Sequence, residues 1–263
     1  MHYFIRRIIF FFLYAVYLLC RPFLCRPAVA VLMYHSISDS GWFFAVSKAE
    51  FERQIRYIKV KANPVCLSDV VDFLDGKKEL PPRAVVVTFD DGYRDFSENA
   101  LPILQKYNVP AILFVCGGEI DTKDLGSDSQ LLTLEEIEKL SQDSLVTIGS
   151  HGLTHRKLTR LPPQMAENEI ALSRVLLEKA TGKTVDFFAY PKGSFNASVA
   201  GLVKKSRYRA AFTTIQRLAG AKINHYAIPR LQIDRSTSFL EFKTKLTRAA
   251  DWYERIWRIV RLS

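Results

Sequence analysis

Residues 85–91 read Val-Val-Val-Thr-Phe-Asp-Asp, and Gly92 follows. Three β-branched apolar residues in a row describe a buried strand. Such a strand ends in two neighbouring carboxylates only where something positive meets them, because a buried unpaired charge is very costly. A metal ion is the expected partner, since Ser150-His151-Gly152-Leu153-Thr154-His155 carries two imidazoles four residues apart. Residues at that spacing face the same way over one helical turn or a tight loop. One carboxylate and two imidazoles make a three-donor set that leaves coordination positions for water and substrate. The other carboxylate is then available as a base. The bland alternative is a pair of surface histidines beside an acid that caps the next segment.

The rest of the chain alternates short apolar runs with amphipathic ones. Strands are expected over 28–34, 64–67, 83–89, 110–115, 145–149, 185–190, 210–213 and 226–233. Ser47-Lys48-Ala49-Glu50 reads as a capping box that opens a helix with Phe51, Ile55 and Ile58 on one face. Ser68 is expected to cap a short helix through Leu74, and Thr133–Glu136 to box another with Leu134, Ile137 and Leu140 inward. Further helices are expected over 96–107, 162–180 with Gly182 as C-terminal cap, 197–205, and from Phe239 onward. This alternation argues for parallel βαβ units in an α/β domain. His35, Asp90, Asp91, His151, Tyr190 and Arg230 all follow strands, where a barrel of such units puts its active site.

Composition narrows the partners. The chain has 263 residues, 48% of them hydrophobic, which suits one domain with a sizeable core. A net charge of +10 favours acidic glycans or phospholipid headgroups. Lysines and arginines are dispersed and no recognition motif accompanies them, so nucleic acid is not an expected partner. Four cysteines without CxxC spacing give no disulfide framework, and Cys66 and Cys116 read as buried thiols. At the N-terminus Arg6 and Arg7 precede a charge-free apolar run, Ile8 to Cys20. That run is shorter than the ~20 residues of a full span. Residues 1–27 are therefore read as a signal anchor, stretched by a snorkelling Arg21, with a cleaved export signal as the second reading. The tail 251–261 mixes aromatics with arginines, fitting either an interfacial helix or one packed on the domain. The expected division is 1–27, 28–238 and 239–263, in a monomer that is extracytoplasmic and membrane-anchored or secreted.

Thr88-Phe89-Asp90-Asp91-Gly92 together with His151-x-x-x-His155 resembles the first two motifs of the polysaccharide deacetylases, and the likeness runs over about residues 28–235. The resemblance implies a distorted (β/α)7-type barrel and metal-dependent removal of N-acetyl groups from an N-acetylhexosamine-containing glycan. It implies Asp90 as general base and Asp91, His151 and His155 as metal ligands. Zinc is the default ion, and the donors also suit cobalt, nickel or iron. Classical members carry Leu-x-His near the end of the domain, but Pro229-Arg230-Leu231-Gln232-Ile233 has no histidine. Met33-Tyr34-His35-Ser36 is similar instead to the segment that carries the acid in the poly-N-acetylglucosamine deacetylases. His35 is thus the expected general acid and His225 its competitor. Ala189-Tyr190-Pro191-Lys192-Gly193 resembles a third motif, usually Arg-x-Pro-Tyr. By that likeness the Lys192 backbone N–H is the oxyanion donor, Tyr190 lies beside the substrate, and Arg230 stands in for the missing arginine. Two other functions fit the same residues: deacetylation or deformylation of a lipid-linked sugar, and a catalytically silent glycan-binding domain. Glycan specificity is expected in loops such as 117–131.

Overall fold

A computed structural model gives the fold of residues 2–20, 28–118 and 130–252. Its strands are β1 (Ala28–Tyr34), β2 (Ser36–Ile37), β3 (Ala45–Val46), β4 (Asn63–Pro64), β5 (Ala84–Phe89), β6 (Ala111–Val115), β7 (Val146–Ser150), β8 (Phe187–Ala189), β9 (Ala210–Phe212), β10 (Ala219–Gly220) and β11 (Leu231–Gln232). Its α-helices are α1 (His2–Cys20), α2 (Lys48–Lys61), α3 (Leu67–Leu74), α4 (Leu101–Tyr107), α5 (Leu134–Ser141), α6 (Pro163–Thr181), α7 (Ala197–Lys205) and α8 (Phe239–Lys245).

The strands β1, β5, β6, β7, β8 and β9 lie side by side and all run parallel. The sheet then curls back on itself. Phe212 of β9 bridges Ile228, and three residues later β11 pairs in parallel with β1, Leu231 opposite Leu32. The result is the distorted barrel of seven parallel strands that the resemblance implies, irregular where β9 meets the 228–232 segment. The antiparallel β10 covers the start of β1, with Ala219 opposite Val29.

Side-chain alternation sets what each strand presents. Ala30, Leu32, Tyr34, Val85, Val87, Phe89, Leu113 and Phe188 pack outward with α2, α4 and α6 residues in one core. Val29, Val31, Val86, Ile112, Phe114, Ala189 and Phe212 form a second core inside the ring. A Cβ on Gly149 would stand 2.5 Å from the Phe114 ring, so glycine is required where β7 passes that side chain. Residues 35, 90 and 151 share parity with the inward set. They leave the ends of β1, β5 and β7 on the same side.

Several local expectations need correction. The cap of α3 is Cys66 rather than Ser68, and Cys66 is exposed, whereas Cys116 is buried as expected. Ser47 caps α2 through the Glu50 N–H, while Thr133 and Glu136 complete the reciprocal box of α5. Leu134 is exposed, and of the three apolar residues expected inward from α5 Ile137 and Leu140 are buried. Gly182 ends α6 in the left-handed conformation, as expected. Instead of one strand over 226–233 there is a 3-10 turn at His225–Ala227 and the two-residue β11.

No helix among the described residues is long and apolar enough to cross a membrane. The helix α1 packs against α8, burying Phe10 and placing Tyr14 under Lys243 Nζ at 5.4 Å. Its opposite face is apolar and exposed: Ile8, Phe11, Phe12, Val16, Leu18 and Leu19. Residues 239–252 are packed into the same body, with Phe242 and Ala249 fully buried and Lys245 bonded to the Gln232 carbonyl. The expected tail helix over 251–261 lies mostly outside the described residues, as does most of the 117–131 loop.

Candidate metal centre

Asp91 and His155 sit in the left-handed region, with φ of 71° and 60°. Such backbone is rare for residues with a Cβ and costs on the order of 1–3 kcal/mol at each position. At Asp91 the bend has a clear consequence. On a continuing strand Asp90 and Asp91 would point to opposite faces, as expected for an extended chain. The left-handed Asp91 and Gly92 turn the chain, so both carboxylates serve the same side of the sheet. A Cβ at Gly92 would stand 2.9 Å from Val115 Cγ1, so the turn needs glycine for space as well as for φ. His151 and His155 are joined by a tight loop rather than a helical turn, with Gly152 also left-handed at φ 79°.

These turns converge. Asp91 Oδ1 lies 3.4 Å from His151 Nε2 and 3.2 Å from His155 Nε2. One donor atom from each of the three residues lies within 4.8 Å of the others, and all three side chains are buried. His151 Nδ1 is 2.8 Å from the Ala189 carbonyl, to which it donates, leaving Nε2 with a lone pair facing Asp91. Asp91 Oδ1 is buried and makes no hydrogen bond. In the neutral rings that nitrogen faces a carboxylate oxygen with a lone pair, an arrangement that is repulsive unless a cation stands between them. Tetrahedral zinc with bonds of about 2.0–2.1 Å spaces its ligands by roughly 3.4 Å, which matches the two separations from Asp91 Oδ1. The residues present therefore fit a divalent cation. With a proton on each ring in place of a cation, burial alone would still raise the Asp91 carboxyl, but the attraction of the two imidazolium rings outweighs it and holds the group well below the ordinary carboxylate range. Burial likewise lowers His151, and Asp90 and Asp91 reverse that to a net rise.

Asp90 stands one residue away in a different setting. Its two oxygens accept from Arg230 Nη1 at 2.6 Å and Nη2 at 2.7 Å. Arg230 is fully buried, and its Nε donates to the Thr213 carbonyl at 3.1 Å, so the guanidinium cannot swing away. Thr88 joins the pair, its hydroxyl accepting from Nη1 and donating to Leu32 O. Burial pushes the Asp90 carboxyl up, but the Arg230 charge, His151 and the bidentate bond bring it below its ordinary value.

His35 leaves the end of β1 half-buried, its ring 4.9 Å from Phe44 and 6.3 Å from Trp42. Burial lowers its pKa against the opposing pull of Asp91 and Asp90. His225 is elsewhere: its Nε2 is 2.9 Å from Asp75 Oδ1, at the end of α3, and it does not join the cluster. Lys192 occupies a left-handed turn, φ 55°, and its neighbour Pro191 lies against the Gly152 turn. Tyr190 is turned away from this end. Its ring packs on Phe188 and Phe195 in the outer core, and its hydroxyl donates to the Tyr226 carbonyl at 2.9 Å. Its side chain is thus committed to the fold, with the same outward parity as Phe188.

Residues 77–211 match the model of the polysaccharide deacetylase family. The chain is 30% identical over 215 residues to the Bacillus subtilis (strain 168) protein named "Putative polysaccharide deacetylase YxkH", covering 81% of this chain and 74% of that one. It is 27% identical over 202 residues to the poly-beta-1,6-N-acetyl-D-glucosamine N-deacetylase of Staphylococcus aureus (strain MSSA476), covering 72% and 68%. Among solved structures, the fold superposes on the Streptococcus pyogenes deacetylase PplD in complex with acetate with a TM-score of 0.74 at 23% identity, covering 84% of this chain and 99% of that one. The chain belongs to the polysaccharide deacetylase family.

Proposed function

We propose that this protein removes N-acetyl groups from an N-acetylhexosamine-containing glycan, releasing acetate with the help of a bound divalent metal. The observation that carries this reading is the meeting of three acceptor atoms from Asp91, His151 and His155 one residue away from a carboxylate held ionised by Arg230. The S. aureus relative is named for a glycan of this class, which supports the substrate assignment. A divalent ion held by Asp91, His151 and His155, zinc by default, supplies Lewis acidity toward the amide carbonyl and toward water.

The chain's own groups do the rest. Asp90 accepts the proton given up by the attacking water. Arg230 keeps both its oxygens in place and keeps it ionised. The Lys192 backbone N–H, on its left-handed turn beside the histidine loop, donates to the developing oxyanion. His35 gives a proton to the sugar nitrogen as the C–N bond breaks. Metal analysis combined with acetate release on a panel of N-acetylated glycans tests the proposal. Acetate is expected from at least one N-acetylglucosamine polymer, with one free amine formed per acetate. A metal-loaded protein that releases acetate from no member of the panel overturns it.

A second reading moves the same chemistry to a lipid-linked sugar at a membrane face. The outer face of α1 favours it, with Phe12 62% and Leu19 79% exposed, and so does the sequence, which carries Arg6, Arg7 and Arg21 on either side of the apolar run. Such a helix suits the interface of an anionic bilayer and an extracytoplasmic, membrane-associated enzyme. Flotation of the full chain with phosphatidylglycerol vesicles, compared with a chain lacking residues 1–20, tests the membrane contact. Adding a lipid-linked N-acetylated sugar to the panel tests the substrate.

A further inference from the structure

The two histidine ligands are not secured in the same way. His151 has its ring fixed by the Nδ1 bond to Ala189 O, whereas His155 Nδ1 is buried with no hydrogen-bond partner. A metal-binding histidine ordinarily donates its second ring N–H to a carboxylate or carbonyl, which aims the ring. For His155 the aim has to come from the backbone, and that backbone is gripped from outside. Glu169, buried on α6, accepts from Leu153 N at 3.0 Å and Thr154 N at 2.9 Å through Oε2, and from Thr154 Oγ1 at 2.5 Å through Oε1. The opposite edge of the same turn is held by Gly117 N to Gly152 O and Gly118 N to Leu153 O. Both free N–H groups of the turn therefore end on one carboxylate. His155 follows at once with its left-handed φ of 60°.

We propose that Glu169 is a positioning residue for the metal centre: it clamps the 152–154 turn and so sets the direction of the His155 ring, replacing the missing ring hydrogen bond. This rests on the metal reading of Asp91, His151 and His155 given above. The clamp works through acceptor geometry rather than charge. In Glu169→Gln the amide oxygen still receives the two backbone N–H groups, and the Thr154 hydroxyl reverses to accept from the amide nitrogen. In Glu169→Ala nothing receives them.

The test is zinc affinity by chelator competition, read together with the thermal midpoint of the metal-free protein. Glu169→Ala should bind zinc about 10–100-fold more weakly than the parent, and Glu169→Gln within a few-fold of it. Unchanged zinc affinity in Glu169→Ala, with only a lowered midpoint, reduces Glu169 to a structural residue and overturns the proposal. Equal weakening in Gln and Ala variants assigns the effect to charge and overturns it as well. A parent chain that takes up no zinc, cobalt or nickel sinks the metal reading itself, a result distinct from either of these.

Discussion

Asp90 and Asp91 are adjacent, of one chemical kind and both buried, yet their surroundings are opposite. Asp90 has a guanidinium on both oxygens, a hydroxyl beside that guanidinium, and ordinary backbone. Asp91 has strained backbone, an oxygen with no hydrogen bond, and two imidazole nitrogens at 3.2–3.4 Å. The first carboxylate is complete as the chain folds. The second stands among acceptors spaced to suit a cation. The proposed division of roles follows from that difference: the chain supplies one carboxylate with its arginine counter-charge and leaves the other to the imidazoles.

The comparison breaks most visibly at the carboxylates themselves. Asp91→Ala should lose bound metal and acetate release together. Asp90→Asn should keep its metal while turnover falls by about 10²–10⁴-fold. Loss of metal in both, or in neither, would end the division of roles, and an Asp90→Asn protein with undiminished properties would point to a glycan-binding module instead.

Arg230→Met attacks the counter-charge and should cost about 3–5 kcal/mol of stability at neutral pH, measured by urea unfolding, because it strands a buried carboxylate. The pH dependence has a definite sign. Asp90 titrates below its unfolded value of about 3.9, so its pairing stabilises the fold above that pH and fades as pH falls through the lower folded value. Without Arg230, burial dominates, and the acid limb of kcat/KM should move to higher pH. A limb that stays put would mean that another group titrates there.

A smaller contrast separates two histidines. His35→Gln should lower kcat about 10²-fold at constant metal content, while His225→Gln, which removes only the contact with Asp75, should stay within twofold. The smallest effect expected is that of Tyr190→Phe, which removes one buried hydrogen bond worth about 0.5–1.5 kcal/mol. Its kinetics should be unchanged, and a fall in kcat/KM there would return Tyr190 to the substrate site.

Much of the centre was legible because its chemistry is improbable otherwise. Two acids after Val85-Val86-Val87 demanded a counter-charge, and the paired histidines pointed to a metal. Arg230 was identifiable as the cation in the last expected strand, 226–233, although it comes just before β11 rather than after a strand. Strand parity would have sorted Tyr190 with outward Phe188, had its strand been followed residue by residue. Other features left no such trace. A left-handed Asp91 cannot be read from its residue type, and strands of two residues such as β10 and β11 are too short to carry a period. Glu169 did leave a signal. It lies on the buried stripe Ala166, Ile170, Ser173 and Leu177 of α6, where a carboxylate has to be answered by donors from another segment.

The closing of the ring also sets a timetable. Asp90 and its partner are separated by 140 positions in the chain, whereas the three proposed cation ligands all lie between residues 91 and 155. A growing polypeptide has every ligand available long before β11 exists, but Asp90 remains without its guanidinium until the final strand zips against the first. On the proposed mechanism, the tuning of the base is therefore among the last features the molecule acquires, after every proposed ligand has been made.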